Sequence, residues 1–502
     1  MDNQIKRIVI VGGGTAGWMS ASALSTLVQN KIEVILIESD EIGTVGVGEA
    51  TIPLIRAFTE NLLGVDEADF MKATNATYKL GIEFVDWGKI GTRYIHGFGK
   101  IGRELYTVNF YQYWLKMYLE GKAPDISKYS VNLVACEKNK FAMSEKNPNS
   151  PLSFISHAYH FDAAMFAKFL RKFSEDRGVT RQEGKIVKVN LRASDGFVES
   201  ILMNNGETID GDFFIDCSGF RGLLIEEALH TGYEDWSHLL PMDSAVAVPC
   251  SSVSPLTPYT RSTARPAGWQ WRIPLQHRIG NGHVFCSKYM SEDEATSILI
   301  NNLDGEQMAD PRTIKFTTGM RKKAWNKNVL AVGLSGGFLE PLESTSIHMI
   351  QSVITMMFMY FPNKNFNSAD IDRFNDQVSH LYNRVKDFII LHYCVTQRND
   401  TDFWNYVRTM PVPESLTNKI NLYKSSGRIL RDPTDLFSEG SWLQVLHGQG
   451  IIPNGYNALV DLKSEEDILR ILNDTESVIE KTVSMLTDHG DFISAYRAAP
   501  KI

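Results

Sequence analysis

Three glycines near the amino terminus, Gly12, Gly14 and Gly17, form the spacing GxGxxG between an apolar run and a stretch typical of a helix. Glycine at these positions permits a tight turn and lets the backbone approach a pyrophosphate, and the start of the helix stabilises the phosphate charge. Thr15 and Ala16 belong to the same loop. The spacing therefore predicts a dinucleotide site.

Glu38 follows the next apolar run, roughly 20 residues after the third glycine, where a carboxylate accepts hydrogen bonds from a ribose. An acidic residue at this point disfavours a 2′-phosphate. Residues 216–221 and 331–337 also place glycines after apolar runs, and a flavin enzyme needs such a late segment to return to its FAD. Neither segment repeats GxGxxG, so we expect no separate nicotinamide domain.

Lys79 and Glu343 are charged residues with two competing interpretations. Polar side chains recur at steps of three and four over residues 72–86, which predicts a helix face on which Lys79 pairs with Glu83. Glu343 stands beside Glu340 in a loop bounded by Gly and Pro, where a helix start favours negative charge. From the residues alone, solvated charges explain both side chains better than catalysis does.

The elements that must position these residues are predicted from apolar spacing. An apolar run, a helical stretch and a second apolar run form a β-α-β unit, and the last third of the chain has helical periodicity. The predicted strands are 7–11, 33–37, several within 184–215, and 328–332; the predicted helices are 18–28, 369–393, and one that starts at Ser464 and continues to 486.

Composition excludes several classes of protein. The 502 residues carry a net charge of -8, which argues against nucleic acid as a partner. Five scattered cysteines without a CxxC pair indicate reduced thiols. The longest apolar stretch, 353–361, is shorter than the ~20 residues that span a bilayer, and no signal peptide is evident, so we expect a soluble, cytoplasmic protein without membrane contact. His157 and His160 have no carboxylate or cysteine at ligand spacing, so we predict no metal site.

Trp269 and Trp271 lie in the segment Trp-Gln-Trp-Arg-Ile-Pro. Two tryptophans on one face of a strand also pack as core, but with the other motifs this segment resembles the WxWxIP motif of flavin-dependent halogenases of the tryptophan-halogenase family. The resemblance covers nearly the whole chain. Residues 77–87 are similar to the family's helix with the active-site lysine, here Lys79. Residues 338–345 are similar to the segment with its catalytic glutamate, here Glu343.

The resemblance also implies roles for other residues. The backbone near Thr345 and Ser346 corresponds to the halide site, and residues 94–99 are similar to a strip of the substrate pocket that includes His96 and Phe98. The two tryptophans of the motif are expected to keep substrate away from the flavin. The implied cofactor contacts are Gly12, Gly14, Thr15, Ala16, Gly17, Glu38, Ala50, Val187 and Leu334.

The family's chemistry implies that FAD, reduced by a separate NADH-dependent flavin reductase, uses O2 and chloride or bromide to make hypohalous acid. This oxidant travels to a small, indole-like aromatic substrate. Lys79 then holds it by hydrogen bonds or as a haloamine, and Glu343 polarises it or takes the substrate's proton. The alternatives are a flavin-dependent aromatic monooxygenase (hydroxylase) on the same scaffold and a flavin-binding protein without activity. Lys79 together with Glu343 favours the halogenase, because hydroxylation does not require them.

The expected fold is α/β: a Rossmann-type FAD module with a substrate sheet over residues 1–368 and a mainly helical substrate cap over 369–502. The stretch 422–442 is shorter than in tryptophan halogenases and lacks their aromatic and acidic cluster, which favours indole or a larger substrate over free tryptophan. Ser346 stands where those enzymes usually have Gly, which favours bromide. The sequence leaves the oligomeric state open, with a homodimer as one option.

Overall fold

The computed structural model describes residues 3–28, 31–41, 48–103, 105 and 108–500. The helices are α1 Thr15–Val28, α2 Glu67–Ala73, α3 Phe110–Leu119, α4 Val131–Glu137, α5 Ala163–Glu175, α6 Glu292–Asn301, α7 Ser346–Met359, α8 Ser368–Cys394, α9 Asp402–Thr409, α10 Glu414–Ser426, α11 Glu439–Gly448, α12 Glu465–Ser484 and α13 His489–Tyr496. The strands are β1 Arg7–Val11, β2 Glu33–Glu38, β3 Gly48–Ala50, β4 Thr77–Lys79, β5 Gly81–Val85, β6 Arg93–Gly97, β7 Lys140–Phe141, β8 Ala158–Asp162, β9 Thr180–Glu183, β10 Ile186–Leu191, β11 Val198–Met203, β12 Thr208–Asp210, β13 Phe213–Asp216, β14 Tyr233–Asp235, β15 Ser244–Cys250, β16 Tyr259–Arg265, β17 Gly268–Pro274, β18 Ile279–Phe285, β19 Arg312–Lys315, β20 Gly319–Arg321, β21 Trp325–Asn326, β22 Val329–Ala331, β23 Gly337–Phe338 and β24 Thr487–Asp488.

A six-stranded sheet of order β21-β22-β13-β1-β2-β9 carries the glycine loop. Strand β1 pairs in parallel with β2 and with β13, and four of its five residues are buried. A continuous apolar run is typical of a strand covered on both faces. The predicted β-α-β unit is confirmed, with α1 and β2 at the expected places. The glycine loop therefore lies at the carboxyl end of the sheet, where open α/β folds bind ligands.

A seven-stranded sheet of order β19-β15-β18-β17-β16-β5-β6 forms the second layer. Its neighbours are antiparallel except β16 and β5, which run parallel. Alternate residues of a strand face the same side, so Trp269 and Trp271 of β17 share one face. His96 lies on the edge strand β6. This sheet brings the tryptophans and His96 into one layer.

The helix predicted around Lys79 is wrong. Residues 77–79 and 81–85 are the strands β4 and β5; β4 pairs with β8, and β5 pairs with β6 and β16. The segment is rich in Thr, Tyr, Ile, Phe and Val, which favour strands, and it is almost wholly buried. Glu83 contacts Arg261 and Arg93 rather than Lys79. The spaced polar residues thus belong to α2, β4, β5 and the turns around them and not to one solvated helix face.

The helical C-terminal part agrees with its predicted periodicity. Helix α8 begins one residue before and ends one residue after the predicted 369–393. Ser464 Oγ accepts a hydrogen bond from the Asp467 N–H at 3.1 Å and caps α12, in agreement with the helix start predicted at Ser464. The strands expected within 184–215 are also present as β10 to β13. The division at residue 368 stays a prediction. In the part of the chain that the structure describes, no helix is long and apolar enough to cross a membrane.

Candidate active site

A cavity of about 730 Å³ lies between the glycine loop and the seven-stranded sheet. Its volume is in the range of cofactor and ligand sites. Strands β3 and β17 and the start of α7 form its other walls. Of the residues assigned to cofactor, halide and flavin separation, it is lined by Gly12, Gly14, Thr15, Ala16, Glu38, Ala50, Trp269, Trp271, Leu334, Thr345 and Ser346.

Two glycines of the loop have different surroundings. A Cβ on Gly17 would lie 1.8 Å from the Gly12 carbonyl oxygen, so this position is closed by backbone. A Cβ on Gly14 would meet nothing within 4 Å, and Gly14 lines the cavity. The protein's own packing therefore does not require glycine at position 14. The missing side chain instead leaves room for a ligand in the cavity.

This difference predicts opposite outcomes for two alanine variants. Gly17→Ala is expected to lower the melting temperature of the apoprotein, because the clash is with backbone. Gly14→Ala is expected to keep that melting temperature but to weaken FAD binding about tenfold or more, since its methyl group enters the cavity. Calorimetry and titration of flavin fluorescence measure the two effects. Gly440→Ala, whose Cβ would make only ordinary contacts at 3.5 Å, is the control. Unchanged FAD binding by Gly14→Ala would place the cofactor elsewhere.

Glu38 lies at the cavity wall but already has partners. Its Oε1 accepts a hydrogen bond from Arg181 Nε at 2.5 Å, and Trp18 Nε1 lies 3.4 Å from its Oε2. Arg181 was not anticipated from the sequence. The side chain of Val187 is 59% exposed, and its neighbour Ile186 lines the cavity instead. The assignments of Glu38 and Val187 to the cofactor stay predictions, and for Val187 the neighbouring residue is better placed.

Lys79 is completely buried at the end of β4. Its Nζ donates hydrogen bonds to the Thr51 carbonyl oxygen at 3.0 Å and to Ser344 Oγ at 2.6 Å. The same nitrogen lies 5.3 Å from the centre of the Phe98 ring. Burial lowers the pKa of Lys79 to about 7, although the charge of Glu343 acts in the opposite direction. An amine in this state exists in both protonation states at neutral pH.

Glu343 is 1% exposed and stands between two histidines. Its Oε2 lies 2.9 Å from His96 Nδ1, and its Oε1 lies 2.8 Å from His392 Nε2. Burial alone would raise the pKa of this carboxyl, but the charges and contacts of His96 and His392 outweigh it and lower the pKa to about 2. The carboxylate is therefore ionised throughout the physiological pH range.

Ser344 joins this charged centre to the cavity. It lines the cavity, and its Oγ accepts the hydrogen bond from Lys79. Its backbone is left-handed, with φ at 58°. That conformation is uncommon for a residue other than glycine and occurs often at functional sites. Ser344 was not assigned from the sequence, although it directly follows Glu343.

The two tryptophans of β17 have different partners. Trp269 Nε1 donates a hydrogen bond to Glu340 Oε2 at 2.7 Å, and the Tyr393 hydroxyl donates to the same oxygen at 2.9 Å. Burial raises the pKa of Glu340 to about 7, and its hydrogen bonds offset part of the rise. The N–H of Trp271 has no partner in the described chain, and the ring lines the cavity. The hydrogen bond to Glu340 therefore fixes the ring of Trp269, while the indole N–H of Trp271 is not used by another described residue.

The structure adds two carboxylates that the sequence did not single out. Glu49 lines the cavity, and burial raises its pKa to about 7. Glu67 accepts hydrogen bonds from the Tyr159 hydroxyl at 2.6 Å and contacts His157 Nε2 at 3.0 Å, so His157 does have a nearby carboxylate. Within the described residues, no group of three or more His, Cys, Asp or Glu side chains could hold a metal ion.

Comparison with known proteins decides the family. Residues 7–465 match the family model for tryptophan halogenase. The chain belongs to this family. It is 35% identical to tryptophan 6-halogenase SttH of Streptomyces toxytricini, over 95% of this chain and 96% of the relative. It is 32% identical to tryptophan 7-halogenase RebH of Lentzea aerocolonigenes, over 90% of this chain and 91% of the relative.

Solved structures agree with this membership. Xcc4156, a flavin-dependent halogenase from Xanthomonas campestris, is 43% identical with a TM-score of 0.96, covering 99% of this chain and 100% of that chain. BrvH, a flavin-dependent halogenase from Brevundimonas sp. BAL3, is 43% identical with a TM-score of 0.95 and the same coverage. The halogenase is thus a flavin-dependent enzyme with the expected α/β fold. The predictions of an α/β fold and of a flavin-dependent halogenase are confirmed. The comparisons favour halogenation over the activity of a hydroxylase and over a flavin-binding protein without activity.

Proposed function

We propose that the halogenase acts on an indole-like aromatic compound, which receives the halogen beside Lys79 and Glu343. One observation carries the proposal. A completely buried lysine and a buried, ionised carboxylate lie behind a serine that opens onto the cavity of the glycine loop. Charged residues that only stabilise the fold do not require contact, through Ser344, with a cavity large enough for a cofactor. A small oxidant that moves from the cavity to Lys79 does require such a contact.

The residues of the cavity fit FAD and a halide ion. Bound FAD, reduced by a separate NADH-dependent reductase, would use O2 to oxidise chloride or bromide to hypohalous acid. Gly14 provides the open side of the loop for the pyrophosphate. Thr345 precedes α7, and its buried hydroxyl has no partner in the described chain. This hydroxyl and the N–H groups at the start of α7 are suited to hold a halide.

Lys79 is suited to receive the halogen as a neutral amine. A neutral amine has two N–H bonds and one lone pair, and both N–H bonds are already donated, to Thr51 and Ser344. The lone pair is then free to take the halogen from hypohalous acid. The N–X bond forms as the O–X bond breaks, and one N–H proton is given up and leaves with the hydroxide as water. The alternative is an ammonium group that holds hypohalous acid by its third N–H. The two routes need opposite protonation states of the same nitrogen.

The pH dependence separates these routes. Because burial lowers the pKa of Lys79 to about 7, the neutral form increases above that pH. We expect the ratio of halogenated arene to hypohalous acid captured by an added trap to rise roughly tenfold from pH 6 to pH 8. A ratio that falls over this range would indicate the ammonium route. Lys79→Arg, which stays charged, is expected to give a low and flat ratio.

Glu343 is suited to the step in which the halogenated ring loses its proton. Substitution on an aromatic ring passes through a cation that must lose a proton. A carboxylate that stays ionised can stabilise this cation and then take the proton on an oxygen. Its low pKa does not prevent this transfer, because such ring cations are much stronger acids than a carboxylic acid.

The segment between α10 and α11, which packs against His96 through Phe437, argues against a free amino acid as substrate. Between α10 and α11, Asp432 and Asp435 are already ion-paired with Arg384, and Asp435 also with Lys419. These carboxylates are therefore not free for the ammonium group of tryptophan. Phe437 of the same segment stacks on Phe388 with ring centres 3.8 Å apart. The surroundings suit an aromatic ring without a charged side chain.

A turnover comparison tests the substrate. We expect indole to be halogenated at least tenfold more efficiently than tryptophan, as kcat/KM, because an unpaired ammonium or carboxylate would be poorly solvated there. Each substrate is measured in bromide and in chloride. Ser346 at the start of α7 favours bromide, and Ser346→Gly is expected to reduce that preference. Equal or better turnover of tryptophan would contradict the proposed substrate.

A further inference from the structure

His392 contacts the proposed catalytic carboxylate but has no role in the chemistry described so far. It lies in the last turn of α8 and is completely buried. Its Nδ1 lies 2.8 Å from the Phe388 carbonyl oxygen. A carbonyl oxygen only accepts hydrogen bonds, so Nδ1 must carry a proton.

The proton on Nδ1 limits what the other ring nitrogen, Nε2, can be: it either presents a lone pair or carries a second proton. In a neutral ring protonated at Nδ1, Nε2 presents a lone pair. This atom lies 2.8 Å from Glu343 Oε1, an acceptor, and has no aligned hydrogen-bond partner in the described residues. Two buried lone pairs at this distance repel each other. A proton on Nε2 removes the repulsion and gives the ring a positive charge that attracts the carboxylate.

We propose that His392 is held as an imidazolium and that its charge keeps Glu343 ionised and in place during catalysis. The inference rests on the proposed role of Glu343. His392 acts through that carboxylate and does not touch the substrate, so it is a positioning residue. No covalent bond forms or breaks at its ring.

The groups around the pair agree with this charge. The titratable groups that face Glu343 are His96 and His392 in contact, and Lys79, which acts through its charge. Burial and the charge of Glu343 raise the pKa of Tyr94 well above its ordinary value, so Tyr94 is neutral. His96 Nδ1 lies 2.9 Å from Glu343 Oε2 and can donate a hydrogen bond to it. If His392 supplies the positive charge opposite Glu343, Lys79 is free to lose its proton and act as an amine.

The ring of His392 is otherwise surrounded by uncharged groups. Its centre lies 4.9 Å from that of Phe84, 6.0 Å from that of Trp87 and 5.3 Å from that of Phe388. Gln449 donates its side-chain amide to the backbone carbonyl of His392 at 3.0 Å. In so apolar a place an imidazolium is stable only with a charge partner. Glu343 is that partner.

His283 provides a control within the same chain. It is completely buried, its Nδ1 lies 3.1 Å from the Ala295 carbonyl oxygen, and its Nε2 has no partner among the described residues. It shares the constraint of His392 but lacks the carboxylate. Burial lowers the pKa of His283 to about 4. At neutral pH the two rings should therefore differ by one proton.

Nitrogen NMR of apoprotein with 15N-labelled histidine tests the charge directly. At pH 7 we expect two protonated nitrogens on His392 but one on His283. The variants His392→Gln and His283→Gln assign the two rings. Glu343→Gln, which leaves His392 unchanged, should convert it to the neutral form and assigns it even if His392→Gln does not fold. A neutral His392 in the wild type would overturn the proposal.

The pH profile tests the function of the charge. The amine route needs neutral Lys79, so the acid limb of activity lies near the pKa of Lys79, about 7. The charge of His392 offsets that of Glu343, which otherwise raises the pKa of Lys79. In His392→Gln the charge is absent, and we expect the acid limb of kcat to move to higher pH by about one unit or more, with KM for indole nearly unchanged. His283→Gln should keep the wild-type profile. An unmoved limb in His392→Gln would contradict the proposal.

The two proposals fail in different ways. If the wild type makes no halogenated product, the proposed function fails, while NMR of the apoprotein still decides the charge of His392. If the wild type halogenates indole but His392 is neutral, the function stands and this inference is wrong.

Discussion

Replacing Lys79 with alanine is expected to reduce halogenation of the aromatic substrate by a factor of about 10³ or more, because a positioned reactant has a large effective concentration. The oxidant would still form in the cavity, since Lys79 does not line it. It would then escape or react without direction. We therefore expect hypohalous acid captured by an added trap to increase while halogenated product disappears.

Stability must be controlled in this experiment. The variant leaves the Thr51 carbonyl and Ser344 hydroxyl without their buried donor, at a cost of roughly 1–3 kcal/mol. Lys79→Met, which fills the same space, should lose activity equally while it retains more stability than alanine. Lys72→Ala, at an exposed lysine of α2, should have wild-type activity. A Lys79→Met enzyme with more than a tenth of normal halogenation would remove Lys79 from the mechanism.

Glu343→Gln is expected to reduce kcat for halogenation by about 10²–10⁴-fold, the usual loss when a positioned base is removed. The amide has the shape of the carboxyl but carries no charge and accepts protons poorly. Capture of hypohalous acid should again continue, because the halide and the cavity are unchanged. Stopped-flow and product analysis at saturating indole measure kcat.

A second buried carboxylate is a matched control for this variant. Glu67 also contacts a histidine, His157, at 3.0 Å, but its other partners are Tyr78, Tyr159 and Arg497 rather than groups of the proposed catalytic centre. Glu67→Gln therefore makes the same chemical change and carries a comparable risk to the fold. We expect it to alter stability with little change in kcat. If both variants lost activity in proportion to lost stability, Glu343 would be structural.

The glycine loop and its β-α-β unit could be predicted because their signals are local. An apolar run, three spaced glycines and a helix follow one another within residues 7–38, and the parallel pairing of β1 and β2 follows from them. The same is true of α8, whose apolar period extends over 27 residues. Such elements need no information from distant parts of the chain.

The centre behind the cavity depends on contacts that spacing cannot show. Lys79 and Ser344 are 265 residues apart, yet their side chains are hydrogen-bonded. A lysine is usually exposed, so the spacing of polar residues around Lys79 favours a helix face, whereas in the structure Lys79 lies in a buried strand. His392 fitted an apolar helical stripe, and only the position of Glu343 against its ring gives it a charge.

The central claim is that a halogen, carried through Lys79, reaches an aromatic substrate. The most direct measurement is the mass of the product when purified protein, FAD, a flavin reductase, NADH, O2 and bromide act on indole. We predict singly brominated indole from the wild type, and none from Lys79→Met although captured hypohalous acid persists. Hydroxylated indole, or equal bromination by both proteins, would contradict the account.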